Sequence, residues 1–102
     1  MHTLITHHSI GIAAICKRFG VSRLEVFGSA ARGTDFKTAD SDVDFLVEFS
    51  PGQATDLQAF LATKTALEKL LGRDVDLVES DAVRNPYVLA NINRSREPVY
   101  AA

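Results

Sequence analysis

The sequence is poor in the features that mark secreted and membrane proteins. It contains one cysteine, Cys16, in 102 residues, which excludes an intramolecular disulfide and suits a reducing compartment. No apolar run approaches the roughly 20 residues needed to span a bilayer. The first residues also lack the basic segment and apolar block of a secretory signal. We therefore expect a cytoplasmic protein that does not act at a membrane.

The chain also lacks an excess of charge of either sign. Eleven basic residues stand against 13 acidic ones, which gives a formal net charge of −2. Proteins that bind nucleic acids non-specifically usually carry a basic face, so direct nucleic-acid binding is not expected. Repeats, low-complexity segments and linkers are absent, and the hydrophobic fraction of 46% is that of an ordinary globular protein. The sequence predicts a single domain over residues 1–102.

What the sequence does contain is a regular alternation of predicted helices and strands. Helical spacing and capping residues predict helices over 4–19, from Thr55 or Asp56 to 71, and over 86–92 after an Asn85 cap. Alternating polarity predicts strands over 21–27, 42–49 and 73–79, with 98–100 as a candidate edge strand. The polar segment 34–40 is predicted to be an exposed loop. This order predicts an α/β sheet with helices on one face and the other face open.

The same patterns assign residues to faces. On the first strand, Glu25 is expected on the polar face together with Arg23 and Phe27. Cys16 falls on the apolar face of the first helix and is expected in the core. The second long helix has an apparent buried stripe with one polar member. Its members are Leu57, Phe60, Leu61, Lys64, Leu67 and Leu71.

Three aspartates are the candidates for chemistry. Asp42 and Asp44 are two residues apart on a predicted strand, so their side chains project from one face. Asp76 lies on the polar face of another predicted strand, and the three carboxylates converge if the strands are neighbours. Such a cluster is costly without a cation, and oxygen-only ligands favour Mg²⁺ or Mn²⁺. Asp42 and Asp44 would bind two ions, while Asp76 would bind the ion nearer the nucleophile and help accept its proton.

A Gly-Ser turn follows the first predicted strand. Gly28 lets the backbone approach a ligand closely, Ser29 can donate its hydroxyl, and the amides that begin the next helical turn can point at phosphate oxygens. The pair can equally be a plain strand-to-helix turn. Arg32 can bind a phosphate or one of the acids, or it can be solvated. Asp74 is expected at the surface beside the site. The turn and the acids together favour a nucleotide site that uses magnesium.

These motifs resemble the signature of the DNA polymerase β-like nucleotidyltransferase superfamily. The matching residues are Gly-Ser-Ala-Ala-Arg-Gly at 28–33, Ser-Asp-Val-Asp at 41–44, and Asp76, and the short chain is similar to the minimal nucleotidyltransferase (MNT) branch. The resemblance implies a nucleotidyltransferase-like α/β (α+β) fold with one small mixed sheet. It also implies magnesium-dependent use of a nucleoside triphosphate, with Asp42, Asp44 and Asp76 as the metal ligands. The loop over 34–40 is longer than the usual spacer.

Members of this branch are paired with an all-helical HEPN-domain protein, an RNase toxin. The resemblance therefore implies a type VII-like antitoxin that transfers AMP from ATP to a tyrosine of that toxin. Two alternatives stay open. One is a small-molecule nucleotidyltransferase of the aminoglycoside-modifying kind, which would need homo-oligomerisation to build an acceptor pocket. The other is a catalytically silent module that neutralises a partner by occlusion, against which the intact set of costly carboxylates counts.

Overall fold

The computed structural model describes residues 3–32, 42–50 and 57–102, and the side chains of Ser29 and Arg32 lie outside that description, as does the predicted loop at 34–40. The described chain alternates helices and strands in this order: α1 (Thr3–His7), α2 (Ser9–Phe19), β1 (Val21–Phe27), α3 (Ser29–Arg32), β2 (Val43–Phe49), α4 (Leu57–Leu71), β3 (Val75–Glu79), a 3-10 turn (Ser80–Ala82), α5 (Pro86–Asn93) and β4 (Glu97–Ala101). No described helix combines the length and the apolar character that a membrane crossing requires.

The four strands form one mixed sheet in the order β3-β2-β1-β4. β1 pairs antiparallel with both β2 and β4, whereas β2 and β3 are parallel. The predicted α/β fold with a small mixed sheet is confirmed, and the candidate strand at 98–100 is the edge strand β4. Because β1 runs antiparallel to β2, and β3 runs parallel to β2, the carboxyl end of β1 lies at the same edge of the sheet as the amino ends of β2 and β3. All three candidate acids are at this end of the sheet.

The core lies between one face of the sheet and the helices α2 and α4. Apolar positions that alternate along the strands meet the inward faces of these helices. The buried residues of this cluster are Ile5, Ile12, Cys16, Val21, Leu24, Val26, Ala30, Ala31, Val43, Phe45, Val47, Leu67, Leu71, Val75 and Leu77. Cys16 is fully buried, as expected, and desolvation raises the pKa of its thiol to about 12.

The helix predicted over 4–19 is divided in two at His8. The amide of His8 donates to the carbonyl of Ile5 at 3.2 Å instead of continuing the α-helical pattern. The carbonyl of Leu4 lies 2.8 Å from Nδ1 of the same histidine. The imidazole ring therefore takes up the carbonyl that an uninterrupted helix would pair with the His8 amide.

The buried stripe predicted for α4 is confirmed at Leu67 and Leu71, which lie in the core, and is wrong in the first half of the helix. Leu57 is 72% exposed and Leu61 is 49% exposed, whereas Thr63 is fully buried. The Thr63 hydroxyl donates to the carbonyl of Ala59 at 2.8 Å, which satisfies the polar group locally and lets this residue face the core. Lys64 pairs with Glu68 at 3.0 Å on the same helix, so its ammonium is not at the apolar seam. The spacing of apolar residues could not indicate that Thr63 would be buried, because the hydrogen bond that satisfies its hydroxyl lies within the helix.

Candidate active site

Two of the predicted acids are direct neighbours in the sheet. Asp44 on β2 and Asp76 on β3 are register partners in the parallel pair, so their side chains leave the sheet on the same face. Asp44 is half-buried and Asp76 is exposed. The third acid, Asp42, is exposed and lies one residue before β2. The amide of Val43 donates to the carbonyl of Asp74 at 3.2 Å, which carries the pairing of the two strands up to Asp42.

The acids match a hard divalent cation in chemistry, because carboxylate oxygens are the ligands that Mg²⁺ prefers. Among the described residues, however, no three histidine, cysteine, aspartate or glutamate side chains are gathered closely enough to hold a metal ion. The backbone thus aligns Asp44 with Asp76 and places Asp42 at the same end of the sheet. The three carboxylates are nevertheless too far apart, as described, to bind one ion together. Ligation by all three requires their side chains to rotate toward a common point.

Gly28 is packed directly against one of these acids. Its φ angle is +72°, in the left-handed region that favours glycine. A Cβ atom at this position would lie 2.5 Å from Oδ2 of Asp44, closer than any real Cβ contact. Phe27, the residue before the turn, is the register partner of Asp44 across the antiparallel pair. The Gly-Ser turn predicted from the sequence is therefore built around the Asp44 carboxylate.

The backbone amide of Gly28 already has a partner that the sequence did not indicate. It donates to Oγ of Ser95 at 2.9 Å, across 67 residues of chain. The carbonyl of Gly28 accepts from the amide of Ala31 at 3.1 Å and starts α3. The side chains of Ser29 and Arg32, which the sequence assigned to phosphate binding, lie outside the described part of the structure, so their roles stay predictions.

A pocket of about 430 Å³ opens beside Asp44. It combines apolar walls with the amide of Asn91, the hydroxyl of Ser95 and the bare backbone of Gly28, as small-molecule sites commonly do. Its lining residues are Phe27, Gly28, Asp44, Val88, Asn91, Ile92 and Ser95. One wall is α5, so this helix borders the face of the sheet that carries the acids. The sequence predicted α5 from its Asn85 cap, but it predicted helices on one face of the sheet and an open face around the acids; α5 borders that second face, so this part of the prediction is wrong.

A buried ion pair lies behind this pocket, at Glu25 on β1. Only 4% of Glu25 is exposed, although the alternation of β1 predicted a solvent-facing position, and that prediction is wrong. Nε of Arg96 donates to Oε2 at 3.1 Å, and Nη2 of the same guanidinium donates to Oε1. This fork satisfies the carboxylate and makes burial tolerable. The hydrogen bond from Arg96 holds the pKa of Glu25 below its ordinary range, against the effect of desolvation.

A larger groove of about 780 Å³ lies on the outer surface of α4 and includes Arg18 of α2. The exposed leucines of α4 account for its apolar character, and its two cations are Arg18 and Lys69. Among the residues that the structure describes, no carboxylate lines it. Of these two pockets, the one beside Asp44 has the chemistry that the sequence predicted.

The sequence and the fold are similar to those of known nucleotidyltransferases. Residues 10–99 match a family model described as a nucleotidyltransferase domain. Protein adenylyltransferase MntA of Thermococcus cleftensis is 42% identical over 69 residues, which cover 68% of this chain and 66% of that protein. A solved structure of a predicted minimal nucleotidyltransferase is 34% identical, covers 96% of each chain and superposes with a TM-score of 0.75.

The fold also occurs in a toxin-antitoxin assembly. A chain from the complex of tri-AMPylated Shewanella oneidensis HEPN toxin with MNT antitoxin superposes with a TM-score of 0.68 at 16% identity, covering 96% of this chain and 73% of that chain. At this identity the likeness concerns the fold alone. The comparison therefore shows that a chain with this fold is present in a toxin-antitoxin complex.

Proposed function

This chain belongs to the nucleotidyltransferase domain family, and on that premise we propose that it is a magnesium-dependent protein adenylyltransferase that moves AMP from ATP to a tyrosine of a HEPN-domain toxin. The observation that carries the proposal is the register pairing of Asp44 with Asp76 beside a pocket closed by the Gly28 turn. The relative named protein adenylyltransferase supports the reaction class. The HEPN–MNT complex of the same fold supports the partner.

Asp42, Asp44 and Asp76 are the residues that would hold Mg²⁺: Asp44 and Asp76 are register partners, and Asp42 lies at the same end of the described sheet. Bound Mg²⁺ would neutralise the triphosphate and lower the pKa of the attacking hydroxyl. The pocket beside Asp44 would receive ATP, with the Gly28 turn, Ser29 and Arg32 next to its phosphates. Phe27 and Ile92 would exclude water from the nucleotide.

The transfer forms one bond and breaks another at the same phosphorus. The tyrosine oxygen attacks the α-phosphorus of ATP, and the bond to the β-phosphate oxygen breaks, so that pyrophosphate leaves. The hydroxyl proton needs an acceptor near the attacking oxygen. Asp76 is the more exposed member of the register pair, and we assign it this role because an incoming protein side chain can reach it from solvent.

The decisive experiment uses ATP labelled on the α-phosphate, Mg²⁺, this protein and, as the candidate acceptor, a HEPN-domain protein from the same organism. Asp76→Asn should abolish labelling of the partner, because a neutral amide is a weaker magnesium ligand than a carboxylate and cannot accept the proton. Asp81→Asn is the matched control, since Asp81 is an exposed aspartate in the 3-10 turn after the opposite end of β3. Label on the partner with Asp76→Asn would refute the assignment, and loss of label with Asp81→Asn would point to a general charge effect.

One observation favours a second candidate, a silent module that neutralises its partner by binding alone. The acids do not form a three-ligand group in the described part of the chain. Thermal melts with and without Mg²⁺ and ATP separate the two candidates. The transferase should be stabilised by Mg²⁺ and ATP together, and Asp44→Asn should lose that shift while melting no lower than wild type without metal. Tight complex formation with no shift and no label would favour the silent module.

A further inference from the structure

Two adjacent residues after α5 form hydrogen bonds with β1 and with the turn that follows it. Oγ of Ser95 accepts from the amide of Gly28, and the guanidinium of Arg96 holds the carboxylate of Glu25. These partners are 67 and 71 residues away along the chain. Gly28, in the turn after β1, lines the pocket beside Asp44, whereas Glu25 lies on β1 itself and does not line that pocket. The sequence and the family signature assign no role to Glu25, Ser95 or Arg96.

The turn that carries Ser95 and Arg96 is fixed at its base. The amides of both residues donate to the carbonyl of Ile92, at 3.1 Å and 2.9 Å. Ile92 is buried and itself lines the pocket. Nη1 of Arg96 also donates to Oδ1 of Asn93 at 2.8 Å. The backbone of Ser95 is therefore tied to a buried isoleucine, and that of the next residue carries the Arg96 guanidinium.

The Glu25–Arg96 ion pair joins the turn that carries Ser95 to strand β1. Glu25 is buried on the central strand β1, and Arg96 binds both of its oxygens. Arg23 adds a weaker contact, with its Nε 3.4 Å from Oε1. Removing one partner of a buried charge pair is strongly unfavourable, so the pair resists separation. Its bidentate geometry also fixes the direction of the guanidinium, which a lysine could not do.

We propose that Ser95 is a positioning residue for the nucleotide, and that the Glu25–Arg96 pair sets its position. This inference rests on the proposed function, because it assigns the pocket beside Asp44 to ATP. Ser95 holds the Gly28 amide, and Gly28 in turn leaves room for Oδ2 of Asp44. The contact shapes the pocket wall and touches no reacting atom. Its loss should therefore raise KM for ATP more than it lowers kcat.

Ser95→Ala tests the proposal directly. Loss of one neutral hydrogen bond should raise KM and the Kd for ATP by up to roughly tenfold, while kcat changes much less. Ser95→Thr keeps the hydroxyl and should restore most of the affinity. Ser22→Ala is the matched control, because it removes a serine hydroxyl that donates to the carbonyl of Glu48 at 3.0 Å, at the other end of β1.

Calorimetric titration with ATP and Mg²⁺ keeps this test separate from the proposed function. If wild type binds ATP but labels no partner, the transfer hypothesis fails. The Kd values of wild type and Ser95→Ala for ATP still test the positioning role of Ser95. Arg96→Lys and Glu25→Gln should weaken ATP binding like Ser95→Ala, with the fold checked by circular dichroism. Equal Kd values for wild type and Ser95→Ala would overturn the proposal. So would an equal loss of affinity in Ser95→Ala and Ser22→Ala.

Discussion

Replacing Gly28 by alanine tests whether the turn and Asp44 are built against each other. Two effects should add at this position. The positive φ of +72° disfavours any residue with a Cβ atom, by about 1–2 kcal/mol. The new methyl group would also lie 2.5 Å from Oδ2 of Asp44. The carboxylate must rotate away to admit it, which costs roughly another 0.5–1.5 kcal/mol.

Gly72→Ala separates the two effects. Gly72 has nearly the same φ, +69°, but no atom lies within 4 Å of the position that its Cβ would take. This variant should therefore lose only the backbone contribution. In urea denaturation we expect Gly28→Ala to be less stable than Gly72→Ala by roughly 0.5–1.5 kcal/mol, which corresponds to about 4–8 °C in Tm per kcal/mol. Only Gly28→Ala should also lose binding of ATP and Mg²⁺ and transfer of label.

A double-mutant cycle assigns the difference to the contact. Asp44→Ala removes the atom that the new methyl group would meet, so the extra destabilisation by Gly28→Ala should disappear in that background. Equal stability losses for Gly28→Ala and Gly72→Ala, with transfer intact in the former, would refute the reasoning. Circular dichroism of each variant guards against a misfolded preparation.

Three further outcomes are expected. The hydrogen bond from Arg96 lowers the pKa of Glu25, so the stability contributed by the ionised carboxylate is complete above the ordinary glutamate pKa of about 4.3 and is lost as the pH falls through the lowered value. Urea midpoints measured from neutral to acid pH should show this decline in wild type and much less of it in Glu25→Gln; parallel curves would contradict it. Asn85 accepts from two amides of the first turn of α5, so Asn85→Ala should lower the free energy of unfolding by about 1 kcal/mol in the same assay, and no change would argue against the cap. The pKa of Cys16 is raised to about 12 by burial, so a thiol reagent at neutral pH should modify it only as fast as the protein opens, as followed by mass spectrometry; rapid modification of the native protein would show that the thiol is accessible.

The sequence predicted those features that depend on neighbouring residues. The bounds of β1 follow from alternation over seven residues, and the Asn85–Pro86 cap placed the start of α5. The aspartate pair was readable because a strand repeats its face every second residue. Asp76 needed one further assumption, that its strand neighbours β2, and the structure confirms that pairing. The roles of these acids stay predictions.

Features that depend on distant residues could not be predicted in this way. Alternation placed Glu25 in solvent because the pattern contains no sign of Arg96, which lies 71 residues later. The first half of the α4 face was misassigned, because Thr63 satisfies its hydroxyl within the helix and can then be buried. Ser95 carries no local signal at all, since a serine after a helix is common. Only the packing of α5 and β4 brings it to the site.

The central position of β1 has a consequence for how the chain is made. Of its two neighbours, β2 is the next strand in the chain and begins at Val43, but β4 is formed by residues 97–101. While the ribosome is still adding those residues, β1 presents an unpaired edge that another nascent chain could join. Pairings across such long stretches of chain also form slowly. Because Ser95 is made just before β4, closure of the sheet and completion of the pocket beside Asp44 belong to the same late step. A nascent chain should therefore lack activity until its edge is protected.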